Sequence, residues 1–243
     1  MAEEGTNSAK GRIVFVATPI GNMGDITSRS IETLKDADLI ACEDTRHSSV
    51  LLNRLEIRKP LISFHEHNER TRGRRLIDEA QAGKTVICLT DAGMPGISDP
   101  GYRLVQDCLE ANVPFDILPG PSAILTALLG SGLPTDSFYF GGFLPRKKGK
   151  RQSEMEEAVR RSCTSIYFES PHRIATSLVM MKNFAPDHPV CVARELTKKF
   201  ESWYRGSVKE VIALIGDSKV KGEITLLIAP FQKTRKSREK NAG

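Results

Sequence analysis

The sequence predicts an α/β protein with a two-domain arrangement, a mostly parallel sheet in the N-terminal part and a mixed sheet in the C-terminal part. Three observations carry this reading. Short apolar, β-branched runs alternate with helical patterns through the first half, as repeated βα units do. The breaker Pro119-Gly120-Pro121-Ser122 interrupts the alternation. Beyond it, several strand patterns are separated by short turns, which suits a sheet of mixed direction. The expected boundaries are 11–119 and 120–231, with flexible ends at 1–10 and 232–243.

Strand patterns in the first half stand at 12–17, 38–42, 61–64, 85–89 and 115–118. Between them lie helical patterns: 27–37, where Ile31 and Leu34 share a face; 47–55; the charged 68–82, stopped by Gly83; and a segment running from Tyr102 to Asn112. Asp99 reads as the cap of that last helix, with Pro100 at its first position. In the second half an apolar helix follows Ser122, a residue type that caps helices. Strands are expected at 137–143, 164–168, 190–193, 199–205 and 223–229, and helices at 152–161, from Pro171, and at 208–215.

Composition narrows the function. At 243 residues with 40% hydrophobic content, the chain can bury real cores. The start is polar and has no apolar leader segment, and no run approaches the ~18 apolar residues of a membrane span. The chain reads as soluble and cytoplasmic. Five cysteines, at 42, 88, 108, 163 and 191, are odd in number and widely spaced, so neither a disulfide framework nor a zinc site is expected. The net charge of +5 is unevenly held. PRKKGKR at 145–151 carries five cations and no anion, and 232–243 carries five cations and Glu239, so the body between is mildly acidic. The inner run reads as an exposed phosphate-binding loop, and the tail as a solvated end.

The chemistry-bearing motifs each follow a strand, at the edge where α/β proteins build ligand sites. ATPIGNMGD at 17–25 stands where a dinucleotide fingerprint would, and GxGxxG is absent from it. EDTRH at 43–47 holds more polar groups than a turn requires. HEHN at 65–68 offers imidazoles without an evident third metal ligand. In TDAGMPGISDPG at 90–101, Ala92, Gly93 and Gly96 permit close approach to the backbone, and Asp91 and Asp99 offer acceptors. ESPHR at 169–173 sits at a helix start, which favours anions, and RELTK occupies 194–198. A single active cleft accounts for all of these loops together.

ATPIGNMGDIT, EDTRH, HEHNE, DAGMPGISDPG, PGPSA, GLPTDSF, GFLPRKKG, ESPHR, ARELTK and KGE occur in this order between Ile13 and Ala229. In that series the chain resembles the ribosomal RNA small subunit methyltransferases of the tetrapyrrole methylase superfamily. It departs from their pattern at Met94 and Gly96, where Thr and Leu are usual, which bears on side-chain contacts there.

The resemblance implies two α/β domains with S-adenosylmethionine (S-adenosyl-L-methionine) bound in the cleft between them. It also implies methyl transfer to the ribose 2′-hydroxyl of a cytidine in the decoding region of 16S rRNA, in the small ribosomal subunit, by a homodimer. Carried over residue by residue, cofactor contacts fall on Pro19, Ile20, Asp91, Ala92, Gly93, Met94, Ser122, Ala123, Phe168, Leu196 and Thr225. A weakly nucleophilic hydroxyl needs a base or strong acceptor, for which Glu43, Asp44, His65 and Glu169 are candidates. Arg46, Arg173 and Lys198 are expected on RNA phosphates, with Arg146, Lys147, Lys148, Lys150 and Arg151 as the RNA grip. No metal is needed. Two alternatives stay open: a tetrapyrrole C-methyltransferase, which the cationic run disfavours, and a non-catalytic RNA-binding assembly factor.

Overall fold

A computed structural model describes residues 11–216 and 220–231, so the two ends expected to be flexible lie outside the described residues. The chain divides into two compact units, Met1–Ser122 and Ala123–Gly243.

The first unit is built on a five-stranded sheet in the order β3-β2-β4-β1-β5. Its strands are β1 (Arg12–Val16), β2 (Leu39–Cys42), β3 (Leu61–Ser63), β4 (Thr85–Leu89) and β5 (Phe115–Leu118), every pairing parallel. The connecting helices are α1 (Ser28–Lys35), α2 (Thr45–Arg54), α3 (Glu69–Gln81) and α4 (Tyr102–Ala111). Residues alternate across a strand, and β1 shows the consequence. Ile13 and Phe15 pack with Leu76, Ala80, Leu104 and Cys108 of α3 and α4, whereas Val14 and Val16 pack with Leu34 of α1 and Leu52 of α2. Burial on both faces is why these strands read as continuous apolar runs.

The helix starts are set by local chemistry. Thr27 accepts from the Ser30 amide to cap α1, and Asp44 accepts from the Arg46 amide to cap α2. The cap expected at Asp99 is corrected: α4 opens after Gly101, at φ 138°, with no side-chain cap. The loop before it closes on itself instead. The Gly96 amide donates to the Pro100 carbonyl over 3.1 Å. A Cβ on Gly101 would stand 3.0 Å from the Gly96 nitrogen, and one on Gly96 would stand 3.2 Å from the Tyr102 nitrogen. Gly96 therefore serves loop closure, not approach to a ligand.

The second unit has a mixed sheet in the order β6-β7-β10-β8-β9. Its strands are β6 (Phe138–Phe143), β7 (Thr164–Glu169), β8 (Pro189–Arg194), β9 (Ser202–Ser207) and β10 (Ile224–Ile228). Only the β6–β7 pairing is parallel; the other three are antiparallel. Helices α6 (Lys148–Arg160), α7 (Ile174–Lys182) and α8 (Val208–Ile215) cover one face through Met155, Ala158, Leu178, Met181, Val208 and Val211. Helix α5 (Ala123–Ser131) covers the other, packing on β8 and β10, and a Cβ on its Gly130 would run into the Trp203 ring.

The main departure from expectation is at the basic run. Helix α6 starts at Lys148, four residues before the expected 152, so most of the anticipated loop is helical. Arg151, Met155 and Ala158 are its buried residues, at the i, i+4, i+7 spacing of one face. Arg151 is 6% exposed, so its assignment to the RNA grip is corrected: it belongs to the inward stripe. Helix α7 likewise opens at Ile174, after Pro171.

Candidate functional site

Because every strand of the first sheet is parallel, all five strand-ending loops emerge at its carboxyl edge. Strand order then sorts them by chemistry. HEHN and EDTRH follow β3 and β2 on one side, and the loops after β1 and β5, rich in Gly, Pro and Ala, lie on the other. The 90–101 loop, after β4, stands between and belongs to both.

On the small-residue side, Thr18 and Gly93 exchange both backbone hydrogen bonds, at 3.0 and 3.1 Å. The Thr18 hydroxyl also donates to the Thr90 carbonyl over 3.1 Å. Gly93 has φ +81°, and a Cβ there would stand 3.5 Å from Ile20 Cγ2 and 3.8 Å from the Pro121 carbonyl oxygen. Three loops thus converge on one bare backbone position, bringing Pro19, Ile20, Ala92, Gly93, Met94 and the segment leading to Ser122 into one neighbourhood. Thr90 is 1% exposed, and its Oγ1 has no partner among the described residues. A cradle of small residues with an orphan hydroxyl and the Asp91 carboxylate suits an adenosyl-type ligand, whose apolar plane needs close approach and whose hydroxyls need acceptors.

On the acidic side, Asp91 Oδ1 accepts from the Asp44 amide at 3.4 Å, and its Oδ2 stands 3.6 Å from His47 Nδ1. Burial, with Glu43 and Asp91 nearby, pushes the Asp99 carboxyl up to about 7. Burial and then Asp91 also raise Glu43, with His65 pulling the other way. Like carboxylates in a half-dry setting cannot all ionise at their ordinary values. Asp44 differs. Its Oδ1 accepts from Arg46 Nε at 3.1 Å and its Oδ2 from Nη2 at 2.7 Å, which holds its carboxyl well below the usual range. A carboxylate so stabilised is a weak proton acceptor, and Arg46 is already paired with it.

His65 is fixed by Asn68. Asn68 Oδ1 accepts from the His65 amide at 2.9 Å, and its Nδ2 donates to the Ser63 carbonyl at 3.2 Å. That orientation leaves Nδ2 to donate to His65 Nε2, 3.1 Å away. Nε2 is then the acceptor, so a neutral ring carries its proton on Nδ1, which is buried and without a partner among the described residues. With Nε2 occupied by Asn68 and Nδ1 buried, neither ring nitrogen is presented as a proton acceptor, and the role of His65 as a base is corrected on this ground.

In the second unit, Glu169 has a buried carboxylate. Its Oε1 accepts from the Ser170 amide at 2.7 Å and pairs with Arg173 at 2.5 Å, while Oε2 accepts from Ser177 at 2.8 Å. Glu169 therefore holds Arg173 and the first turn of α7, and its candidacy as the base is corrected. Phe168 meets Phe140 and Phe143 edge to face, and Thr225 is its cross-strand neighbour on β10. Leu196 is buried between Glu195 and Thr197, both at positive φ, 53° and 64°. Lys198 Nζ is 3.1 Å from Glu195 and 3.0 Å from Glu223, so it too is committed. Arg146, Lys147, Lys148 and Lys150 are exposed, whereas Ala123 opens α5.

Sequence reading missed three features: Asn68 as the residue that orients His65, His47 as a neighbour of Asp91, and the weakened acidity of Asp99. The i, i+3 spacing of His65 and Asn68 was a visible signal; the other two depend on β2 and β4 being neighbours. Among the described residues, no group of three or more His, Cys, Asp or Glu is arranged to hold a metal ion, and no helix is long and apolar enough to cross a membrane.

The family model described as Tetrapyrrole (Corrin/Porphyrin) Methylases matches residues 12–212. The chain is 46% identical over 219 residues to "Ribosomal RNA small subunit methyltransferase I" of Halalkalibacterium halodurans, covering 90% of this chain and 76% of that protein. It is 42% identical to the protein of the same name from Thermotoga maritima, covering 90% and 98%. Among solved structures, a cobalt precorrin-4 methyltransferase superposes with TM-score 0.67 at 16% identity, covering 93% of this chain and 98% of that one. The uroporphyrin-III C-methyltransferase of Thermus thermophilus gives 0.64 at 20% identity, covering 90% and 94%. Both likenesses speak to the fold.

Proposed function

The chain belongs to the tetrapyrrole (corrin/porphyrin) methylase family, and on that premise we propose that it is a methyltransferase of small-subunit ribosomal RNA, acting on the ribose 2′-hydroxyl of a cytidine in the decoding region. Its methyl donor is S-adenosylmethionine. The observation that carries the reading is the identity of 41–46% to relatives named for ribosomal RNA methyl transfer, sustained along about nine-tenths of the chain. The sorted carboxyl edge supplies a chemistry to match.

The cofactor brings an already activated methyl group, so the protein's task is alignment and handling of one proton. Pro19, Ile20, Ala92, Gly93 and Met94 hold the cofactor in the first unit, with Asp91 accepting from its hydroxyls and Ser122 adding a polar contact. Ala123, Phe168, Leu196 and Thr225 stay in the proposed set on the family likeness. Glu43 accepts the ribose hydroxyl proton: it lacks the pairing that occupies Asp44 and Glu169, and its raised carboxyl is the better matched base. His65, fixed by Asn68, stands near Glu43 and acts as a positioning residue for it. Arg146, Lys147, Lys148 and Lys150 grip phosphates. These cations crowd the start of α6, where the helix dipole disfavours positive charge and no acidic residue sits in the first turn. Bound phosphate relieves that conflict. Arg173, held by Glu169, adds a further cation. The active form is a homodimer acting in the cytoplasm.

The test is transfer of labelled methyl groups to small subunits from cells lacking this protein, beside a tetrapyrrole acceptor. Label in the subunits alone supports the reading; label in the tetrapyrrole alone removes it.

A further inference from the structure

On the outer side of the first unit, Arg70 and Arg74 of α3 and Arg103 of α4 line one hollow with Asp107. Nothing in the reading above uses it. The three arginines are exposed. None of them has an ion pair among the described residues, although Arg75, on the same helix, pairs with Glu79 at 3.7 Å, and Arg12, Arg46, Arg161 and Arg173 each have a carboxylate partner. Arg70 and Arg74 stand at i, i+4, the spacing at which like charges repel along a helix. The fold adds the third cation deliberately close. Glu69 Oε1 accepts the Gly101 amide at 3.0 Å, tying the start of α3 to the start of α4. Gly73 is buried where the helices cross, and a Cβ there would stand 2.8 Å from Asp107 Oδ2. Among the residues lining the hollow Asp107 is the one anion; burial and Glu110 raise its carboxyl while Arg103 and Arg74 lower it, so one carboxylate faces three cations.

Position gives the hollow its meaning. Arg70 lies two residues past Asn68, and Arg103 two past Gly101, so both follow directly from loops of the carboxyl edge. The starts of α3 and α4 therefore border that edge. We infer that the Arg70–Arg74–Arg103 hollow binds phosphodiester groups of the substrate RNA next to the nucleotide being methylated. Planar guanidiniums suit phosphate oxygens in pairs, and three converging forks define a register along the strand. The inference rests on the RNA reading above and adds a second contact to it, separate from α6.

The experiment is binding of the full chain to small-subunit RNA across a salt series, for wild type, R70Q/R74Q/R103Q, the triple lysine variant R70K/R74K/R103K, and D107N. Each phosphate contact contributes roughly 0.7 to the log–log salt slope for a single strand. The glutamine variant is expected to lose at least that much slope and to bind about tenfold more weakly at ~0.1 M salt, while its cofactor affinity and thermal midpoint hold. The lysine variant restores the slope, and Asp107→Asn tightens binding. A wild-type slope in the glutamine variant overturns the inference while leaving the methyltransferase reading intact. A wild-type chain that neither binds nor methylates the RNA overturns both.

Discussion

Asn68 Nδ2 donates to His65 Nε2 across 3.1 Å, and this bond decides what His65 can do. The Asn68 amide cannot turn over without losing its bonds to the His65 amide and the Ser63 carbonyl. The ring is therefore a donor through Nδ1. Nitrogen-15 spectra of the histidines should show the neutral His65 ring in the Nδ1–H form. In Asn68→Ala that preference should fade, with a loss of about tenfold in turnover and little change in cofactor affinity. A dominant Nε2–H form in the wild type would contradict the assignment.

Glu43 is the remaining carboxyl candidate: its proton affinity is raised, and among the described residues no hydrogen bond or ion pair occupies its oxygens. Glu43→Gln keeps the shape and removes the acceptor. Positioned general bases contribute roughly 10²–10⁴-fold. Turnover should fall within that range, with cofactor binding retained. Asp44→Ala should instead remove the α2 cap and lower the denaturant midpoint, while Asp44→Asn, which can still accept from the Arg46 amide, should change it little.

Asp99 makes stability depend on pH in a definite direction. Its folded pKa, about 7, lies above the ordinary aspartate value of 3.8. Folding is unpenalised below the lower value, and the penalty grows as pH rises from about 4 to about 7. Asp99→Asn removes that slope. Urea midpoints of the variant and wild type should converge near pH 4 and separate by pH 8, with the variant more stable there. Separation at low pH alone would contradict the burial argument.

Arg146, Lys147, Lys148 and Lys150 are exposed and Arg151 is not. Neutralising the four exposed cations should lower the salt slope of RNA binding by up to about 3, at roughly 0.7 per contact. Arg151→Gln should leave the slope alone and lower the thermal midpoint, because it alters the inward stripe beside Met155 and Ala158.

Gly93 tests the cofactor cradle. At φ +81° any side chain strains the backbone, by about 1 kcal/mol for alanine, though the space beside Ile20 permits the methyl itself. A valine adds bulk where Ile20 and Pro121 converge. Calorimetry should show the cofactor bound weakly by Gly93→Ala and not measurably by Gly93→Val, with both proteins folded.

Much of the fold was legible because strands buried on both faces leave continuous apolar runs, as in residues 85–89, and because caps such as Thr27 mark helix starts. The start of α6 was not, because charge density at 146–151 masked the i, i+4, i+7 stripe through Arg151. Site loops were legible as polar segments after strands. Their ranking was not, since it rests on partners distant in sequence, such as Asp44 with Asp91. Glu169 looked open because its partners, Ser177 and Arg173, lie on the following helix and its cap, where they serve equally well as ordinary helical residues.

The most direct measurement is the chemical position of the transferred methyl group. Small subunits labelled by this protein are digested with alkali, which cleaves RNA only where a 2′-hydroxyl is free. The account expects the label in an alkali-resistant dinucleotide beginning with cytidine, mapped to the decoding region. Label released in single nucleotides would place the methyl on a base and contradict the proposed reaction.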